Sequence, residues 1–302
     1  MNIVVAGGTG FIGRHISRAL MDSGHRVAVV SRRPDSAGRV PEVQGAESIA
    51  ADVTDSSSLT GKLDGADAVV GAVQFPNHPV EVPRKGLTYD NFDRRGTENL
   101  IGECVRAGVD KFFYMSGAGA DPTSDKSWYR AKGVAEKALV SSGLNYAILR
   151  PSWAYGPEDR ALNRLAKIAR WSPVVPRLGL SPQRIQPVSV DDIALAVQRA
   201  FQREDVWNRA YEIGGPDVLT MQQVLETMLE VLGKRRLIVP VPTALAKLGT
   251  APLVLLPKPP MTPFGVEFAV QDGIVDTTDL EKFLEVQPVS LREGLSRYMT
   301  RG

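Results

Sequence analysis

Asn2-Ile3-Val4-Val5-Ala6-Gly7-Gly8-Thr9-Gly10-Phe11-Ile12-Gly13 is the stretch on which the reading of this 302-residue chain turns. Asn2 to Ala6 is short, apolar and rich in β-branched residues, as a parallel strand buried on both faces would be. Gly8, Gly10 and Gly13 satisfy G-x-G-x-x-G, and Gly7, Gly10 and Gly13 also fit G-x-x-G-x-x-G. Glycines at these spacings make a tight turn, let backbone N–H groups approach a diphosphate and bring the next helix close to the strand. A diphosphate there also meets the positive end of the helix dipole.

The surroundings carry the reading further than the glycines alone. Ile12, Ile16, Ala19 and Leu20 recur at helical spacing, Gly24 stands where a C′ glycine ends a helix, and Val27 to Val30 reads as a second buried strand. Strand, glycine turn, helix and strand within about thirty residues is the context of a Rossmann unit binding a dinucleotide.

The residues just past the second strand select the cofactor. An NAD site carries Asp or Glu there, bonded to the ribose hydroxyls, whereas an NADP site offers arginine to the 2′-phosphate. Here the chain reads Ser31-Arg32-Arg33, with no acid until Asp35. Two forked cations suit a phosphate, so NADP(H) is expected in preference to NAD(H).

Hydrophobic content of 43%, charged content of 23% and a net charge of +2 describe an ordinary globular protein, with no basic stripe for nucleic acid. Cys104 is the single cysteine, so an internal disulfide is excluded; its helical face, shared with Leu100 and Ile101, reads as a packed core thiol. The first apolar run has no basic region before it and is too short for a signal-peptide core, and nothing approaches a membrane span. A cytoplasmic chain is expected.

The alternation of strand and helix continues through Glu47 to Ala51, a short helix capped by Asp55, Asp67 to Val73, Thr97 to Ala107, Lys111 to Met115, Ser127 to Val140 and Asn145 to Leu149. Six strands alternating with helices predict an α/β, doubly wound parallel Rossmann sheet over residues 1–150. Gly71 and Ala72 then fall at the carboxyl edge, where ligands collect. Residues 74–90 hold Pro76, Pro79 and Pro83 without periodicity and predict a long loop over that edge. Residues 151–302 read as a smaller α/β lobe facing substrate or partner. Its helices are expected over Glu158 to Arg170, Val190 to Phe201, Thr220 to Leu232 and Ser290 to Met299, with strands at Ala210 to Ile213 and Leu237 to Val241. Asp191 and Asp192 are read as caps of the second of these helices. The apolar, proline-rich run Ala251 to Pro260 is open to two readings, an exposed patch or buried packing. His15, His25 and His78 show no metal-ligand spacing, so solvated or packed histidines are expected.

These residues resemble the short-chain dehydrogenase/reductase superfamily over nearly the whole chain. The likeness rests on the glycine loop, Asp52-Val53, Gly96-Thr97-Glu98-Asn99-Leu100-Ile101, Phe113-Tyr114-Met115-Ser116-Gly117, Lys132 and Arg150-Pro151-Ser152. Tyr155-Gly156-Pro157-Glu158-Asp159-Arg160, Gln186-Pro187-Val188-Ser189-Val190-Asp191-Asp192 and Tyr211-Glu212-Ile213-Gly214-Gly215-Pro216 look most like the atypical branch that includes the nucleotide-binding accessory subunit of respiratory complex I. The resemblance implies cofactor contacts from Gly7, Gly10, Phe11, Ile12, Gly13, Ser31, Arg32, Arg33, Asp52, Val53, Gly71, Ala72, Lys132, Pro151 and Ser152. It also places Ser116 at the family's catalytic serine and Lys132 at the lysine that holds the nicotinamide ribose and lowers the pKa of a catalytic tyrosine.

That tyrosine should stand four residues before the lysine, and the position holds Trp128. An indole cannot exchange a proton with a carbonyl near neutral pH, as a phenol beside an ammonium can. Tyr129 is one residue late, about 100° round the helix. Tyr114 and Tyr155 are further hydroxyls, and Arg150 reads either as an anion contact or as a structural ion pair.

Two functions are therefore expected. One is an NADPH-dependent reductase of a small apolar carbonyl, quinone or enone, with Ser116, Tyr129 and Lys132 as its catalytic set. The other is a protein that holds NADPH as a structural, assembly or redox-sensing element, with a protein partner. Nucleotide-sugar epimerisation or dehydration is a third option, weakened because it too depends on the tyrosine.

Overall fold

The computed structural model describes residues 1–33, 38–76, 78–257 and 259–299. Asp35, and Lys258 within the proline-rich run, lie outside them. The first half runs β1 (Asn2–Ala6), α1 (Phe11–Asp22), β2 (Arg26–Ser31), β3 (Glu47–Ala50), α2 (Ser56–Leu59), β4 (Ala68–Gly71), α3 (Gly96–Ala107), β5 (Lys111–Met115), α4 (Ser127–Val140) and β6 (Asn145–Pro151). The second half adds β7 (Trp153–Tyr155), α5 (Ala161–Trp171), β8 (Val174–Leu178), β9 (Arg184–Ile185), β10 (Pro187–Ser189), α6 (Val190–Ala200), β11 (Arg209–Ile213), β12 (Leu219–Thr220) and α7 (Met221–Leu232). It ends with β13 (Leu237–Val241), α8 (Thr243–Thr250), α9 (Pro263–Ala269) and α10 (Leu291–Ser296).

Seven strands form one sheet in the order β11-β6-β5-β4-β1-β2-β3, every pair parallel. This is the doubly wound arrangement, extended by β11 beside β6. Alternation along β1 sends Ile3 and Val5 to one face and Val4 and Ala6 to the other. The first pair packs with Ile16 and Leu20 of α1 and Ile193 and Val197 of α6; the second packs with Leu100 and Cys104 of α3 and Leu139 of α4. Cys104 is fully buried there, and burial pushes its thiol pKa up to about 12. A third apolar cluster gathers Tyr155, Leu162, Leu225 and Leu291 from the second half of the chain.

Several local expectations shift for physical reasons. The helix expected from Thr97 begins earlier: a π-helical turn, Asp90–Arg95, runs straight into α3. The helix expected from Glu158 begins at Ala161, because the Asp159 carboxylate accepts from the N–H groups of Ala161 and Leu162 at 2.9 and 2.8 Å. Asp191 and Asp192 do not cap α6; the Ser189 hydroxyl accepts from Asp191 N–H. Asp191 turns to His15, and Asp192 accepts from Val289 N–H at 3.0 Å. Asp55 caps α2 as expected, and Thr220 caps α7 through a reciprocal capping box with Gln223.

Candidate functional site

The winding reverses at β1, which pairs Ala6 with Val30 on one side and with Gly71 on the other. The crevice at the carboxyl ends of these strands is where such sheets bind ligands. Gly7, at φ +85°, makes the turn out of β1, and a Cβ built on it would sit 2.4 Å from Ala72 O. A Cβ on Gly13 would sit 2.2 Å from Gly7 O, and one on Gly8 2.5 Å from Val29 of β2. Only hydrogen fits at these places, so the loop lies flat between β1, β4 and α1. Gly10 is the N-cap of α1, no side chain caps the helix, and its first turn holds no acid. The amides at that end are therefore presented for an anion. A diphosphate fits this cradle. Arg14 folds over its rim, donating to Gly10 O at 3.2 Å and to Thr9 O at 3.1 Å.

At the end of β2, Ser31 and Arg33 close a small turn, the Ser31 hydroxyl donating to Arg33 O at 3.0 Å. The Arg32 guanidinium lies 5.6 Å over the ring of Phe92. Asp52 accepts from the N–H and hydroxyl of Thr54 at 3.0 and 2.8 Å, and the buried Val53 takes the Asn99 amide on its carbonyl at 2.8 Å.

Phe92 and Asp93 are inward-facing residues of the π-turn, so one widened turn reaches both ends of the crevice. Asp93 is buried, and Lys132 Nζ lies 3.0 Å from its Oδ1, 3.4 Å from Met115 O and 5.7 Å over the Tyr114 ring. Burial works against the ammonium, but the Asp93 carboxylate and Tyr114 outweigh it and hold Lys132 above the usual lysine range. Ser116 is buried one strand-end away and donates to Glu136 Oε1 at 2.5 Å. Arg150 grips the same carboxylate with Nε and Nη2 at 3.0 and 2.5 Å, a bidentate internal ion pair. Of the two readings of Arg150, the structural one holds. The strand ends also carry Pro151, whose carbonyl accepts from Ala118 N–H at 2.9 Å, and Ser152, whose hydroxyl donates to Gln186 O.

Trp128 is buried in a wall of rings, edge-on to Phe264 at 4.9 Å and to Phe268 at 5.3 Å, both from α9. Its indole nitrogen is buried without a hydrogen-bond partner among the described residues. Tyr129 lies against Gly119, where a Cβ would meet its Cε1 at 2.7 Å. Tyr114 is buried, donates to Asp93 O at 3.5 Å and has its pKa pushed up by burial to about 12. Tyr155 lies in the third apolar cluster with its hydroxyl donating to Ser290 O at 3.4 Å.

Residues of the loop over the strand ends complete this wall with α9. Phe75 and Tyr89 meet edge-on at 4.9 Å, and Phe268 lies 5.3 Å from His78. The Gln74 amide nitrogen, a donor only, lies 3.0 Å from His78 Nδ1, so that ring nitrogen accepts, and the Tyr89 hydroxyl lies 3.1 Å from it. Burial, with the charges of Lys132 and Arg160, pushes the His78 pKa down to about 3, so the ring is neutral. Phe75, His78 and Tyr89 are scattered through the loop without a period, so their meeting left no signal in the sequence. His15 joins the halves: its ring nitrogens lie 2.9 Å from Asp191 and 2.9 Å from Glu158. Among the described residues no group of acidic, histidine or cysteine side chains is arranged to hold a metal ion.

The fold and its glycine cradle define a Rossmann-type dinucleotide-binding protein. Residues 7–171 match the family described as NAD(P)H-binding, and the chain belongs to that family. It is 27% identical to the mitochondrial NADH dehydrogenase [ubiquinone] 1 alpha subcomplex subunit 9 of Arabidopsis thaliana, over 82% of this chain and 62% of that protein. It is 28% identical to the 2-alkyl-3-oxoalkanoate reductase of Stenotrophomonas maltophilia, over 78% of this chain and 77% of that one. Solved structures similar to it include the UDP-glucose 4-epimerase of Thermotoga maritima, at TM-score 0.76 and 23% identity, covering 99% of this chain and 97% of that one. The NADPH-dependent quinone oxidoreductase of Escherichia coli matches at TM-score 0.76 and 23% identity, covering 98% and 99%. The chain is thus similar in sequence to mitochondrial NADH dehydrogenase subunits and to a bacterial reductase, shares its fold with the epimerase and the quinone oxidoreductase, and spans 62–63% of the length of the first mitochondrial relatives it matches.

Proposed function

We propose that the chain is an NADP(H)-binding oxidoreductase homologue that holds its nucleotide without running the family's tyrosine relay. The amides of Phe11, Ile12 and Gly13 would take the diphosphate, Arg32 and Arg33 with Ser31 the 2′-phosphate, and Asp52 and Val53 the adenine. Gly71 and Ala72 would flank the chain of the dinucleotide, Lys132 would meet the nicotinamide ribose, and Pro151 and Ser152 would border the carboxamide. When bound, the nicotinamide supplies or accepts a hydride.

The observation that carries the reading is the state of the catalytic positions. Trp128 fills the tyrosine's seat and is locked by Phe264 and Phe268. Ser116 spends its proton on Glu136, and Lys132 is tied to Asp93. Each of these three family positions is thus engaged with another residue of the chain. The relatives named as subunits of NADH dehydrogenase support a protein partner for such a nucleotide-holding chain.

A second reading is favoured by the aromatic wall: reduction of a small apolar carbonyl, quinone or enone lying against Trp128, with Tyr129 or Lys132 delivering the proton. Energy transfer from Trp128 to reduced nicotinamide, titrated with NADPH and NADH, tests the first claim; equal affinities would overturn the choice of NADP(H). Adding quinones, aldehydes and enones to the loaded protein tests the second. Oxidation that Lys132→Met and Tyr129→Phe abolish would replace the holding function by the enzymatic one.

A further inference from the structure

Between Glu230 and Glu267 the chain runs 36 residues, Val231 to Val266, without an acid and with five cations: Lys234, Arg235, Arg236, Lys247 and Lys258. Within it, Ala244 to Leu256 presents an outward-facing apolar surface. α8 buries none of its residues, and right-handed helical backbone at Thr250 and Ala251 carries it into a 3-10 turn, Ala251–Leu255. Ala244, Leu245, Leu248, Pro252 and Leu255 recur at helical spacing and are all exposed, Leu248 by 72% and Leu255 by 80%. Val254 and Leu256 extend the stripe. At its approach, β13 pairs with β8 so that exposed Leu237 stands beside exposed Val174. Arg84 and Lys85 donate to the carbonyls of Leu256 and Pro257 at 2.9 and 2.8 Å, adding two cations at the base of the patch.

We infer that this face seats on the surface of an anionic lipid bilayer, leucines among the acyl chains and cations among the headgroup phosphates. A large exposed apolar patch needs an occupant, and the charge chooses among them. Glu267 pairs with Lys247 at 3.1 Å, but a second copy docking by two-fold symmetry would still set Lys234, Arg235, Arg84 and Lys85 against their own kind. A bilayer bearing anionic lipids meets both the apolar stripe and the basic surround. No helix among the described residues is long and apolar enough to cross a membrane, so the contact is peripheral.

The test is co-sedimentation of the full chain with vesicles of phosphatidylcholine, alone or mixed with phosphatidylglycerol. At least about tenfold stronger partition onto the anionic vesicles is expected, falling several-fold as salt rises. Leu248→Ser with Leu255→Ser should cost about tenfold per leucine. Lys234→Gln with Arg235→Gln should remove the preference for anionic vesicles while the apolar stripe stays intact. NADPH titration of each variant, expected unchanged, separates this claim from the nucleotide site and reports folding. Failure to sediment, equal partition onto both vesicles, binding that the leucine variants leave intact, or a dimer in light scattering that Leu248→Ser dissolves would each overturn the inference.

Discussion

The two ends of the crevice are built on opposite terms. At the glycine end the main chain itself lines the crevice, and the space is set by what the side chains lack: at Gly7, Gly8 and Gly13 a single methyl would collide. At the lysine end side chains form the surface, and each is committed to another: Lys132 to Asp93, Ser116 to Glu136, Trp128 to Phe264 and Phe268. A cradle of backbone is complete within one short segment. A wall of side chains depends on partners brought from distant segments.

Asp93→Leu should do the most damage, because it leaves the Lys132 ammonium buried beside an apolar group. A loss of about 3–5 kcal/mol is expected in urea unfolding, largely recovered by adding Lys132→Met. A loss under about 1 kcal/mol would mean that water reaches the ammonium and that this end is not sealed. Gly13→Ala attacks the other end by setting a Cβ 2.2 Å from Gly7 O. NADPH affinity should fall at least about 100-fold, or about 2.7 kcal/mol, by fluorescence titration. Unchanged affinity would remove the glycine cradle from the binding surface. Arg32→Ala with Arg33→Ala should weaken NADPH about tenfold and leave NADH as it was.

A titration sharpens the account of how the halves are joined. Burial pulls the His15 pKa down, but its bonds to Asp191 and Glu158 outweigh that and raise it above the ordinary 6.5. The folded state therefore binds the proton more tightly than the unfolded one. This stabilisation is whole below about pH 6.5 and fades as pH rises through the higher folded value. His15→Gln should lack that fall; measuring both proteins by urea midpoint from acid to mildly alkaline pH checks it. The smallest effect, opposite in sign, is a control: Gly102→Ala lies inside α3 with nothing within 4 Å of its Cβ, and should stabilise by about 0.5–1 kcal/mol.

The contrast also explains what could be read in advance. The strand and helix periods of the first half, the glycine turn and the caps at Asp55 and Thr220 are local patterns, and they fold as their residues direct. The π-turn left no trace, because a wide turn of six residues has no period of its own and comes after a proline-rich loop. Asp93 stands 39 residues before Lys132, and Glu136 20 after Ser116, so neither partnership shows in the chain. Phe264 and Phe268 come from beyond residue 260, where prolines hide the helices. The place of Trp128 was legible as a substitution; its locking was not.

β11 has a consequence for how the molecule must be made. It joins the sheet beside β6 only after residues 152–208 have been laid down, and until then β6 is an open parallel edge with unpaired amides and carbonyls. A fragment ending at residue 150 would keep the nucleotide cradle yet expose that border, inviting intermolecular strand addition. Nascent chains would pass through the same aggregation-prone interval, closed when Arg209–Ile213 arrives to seal the sheet.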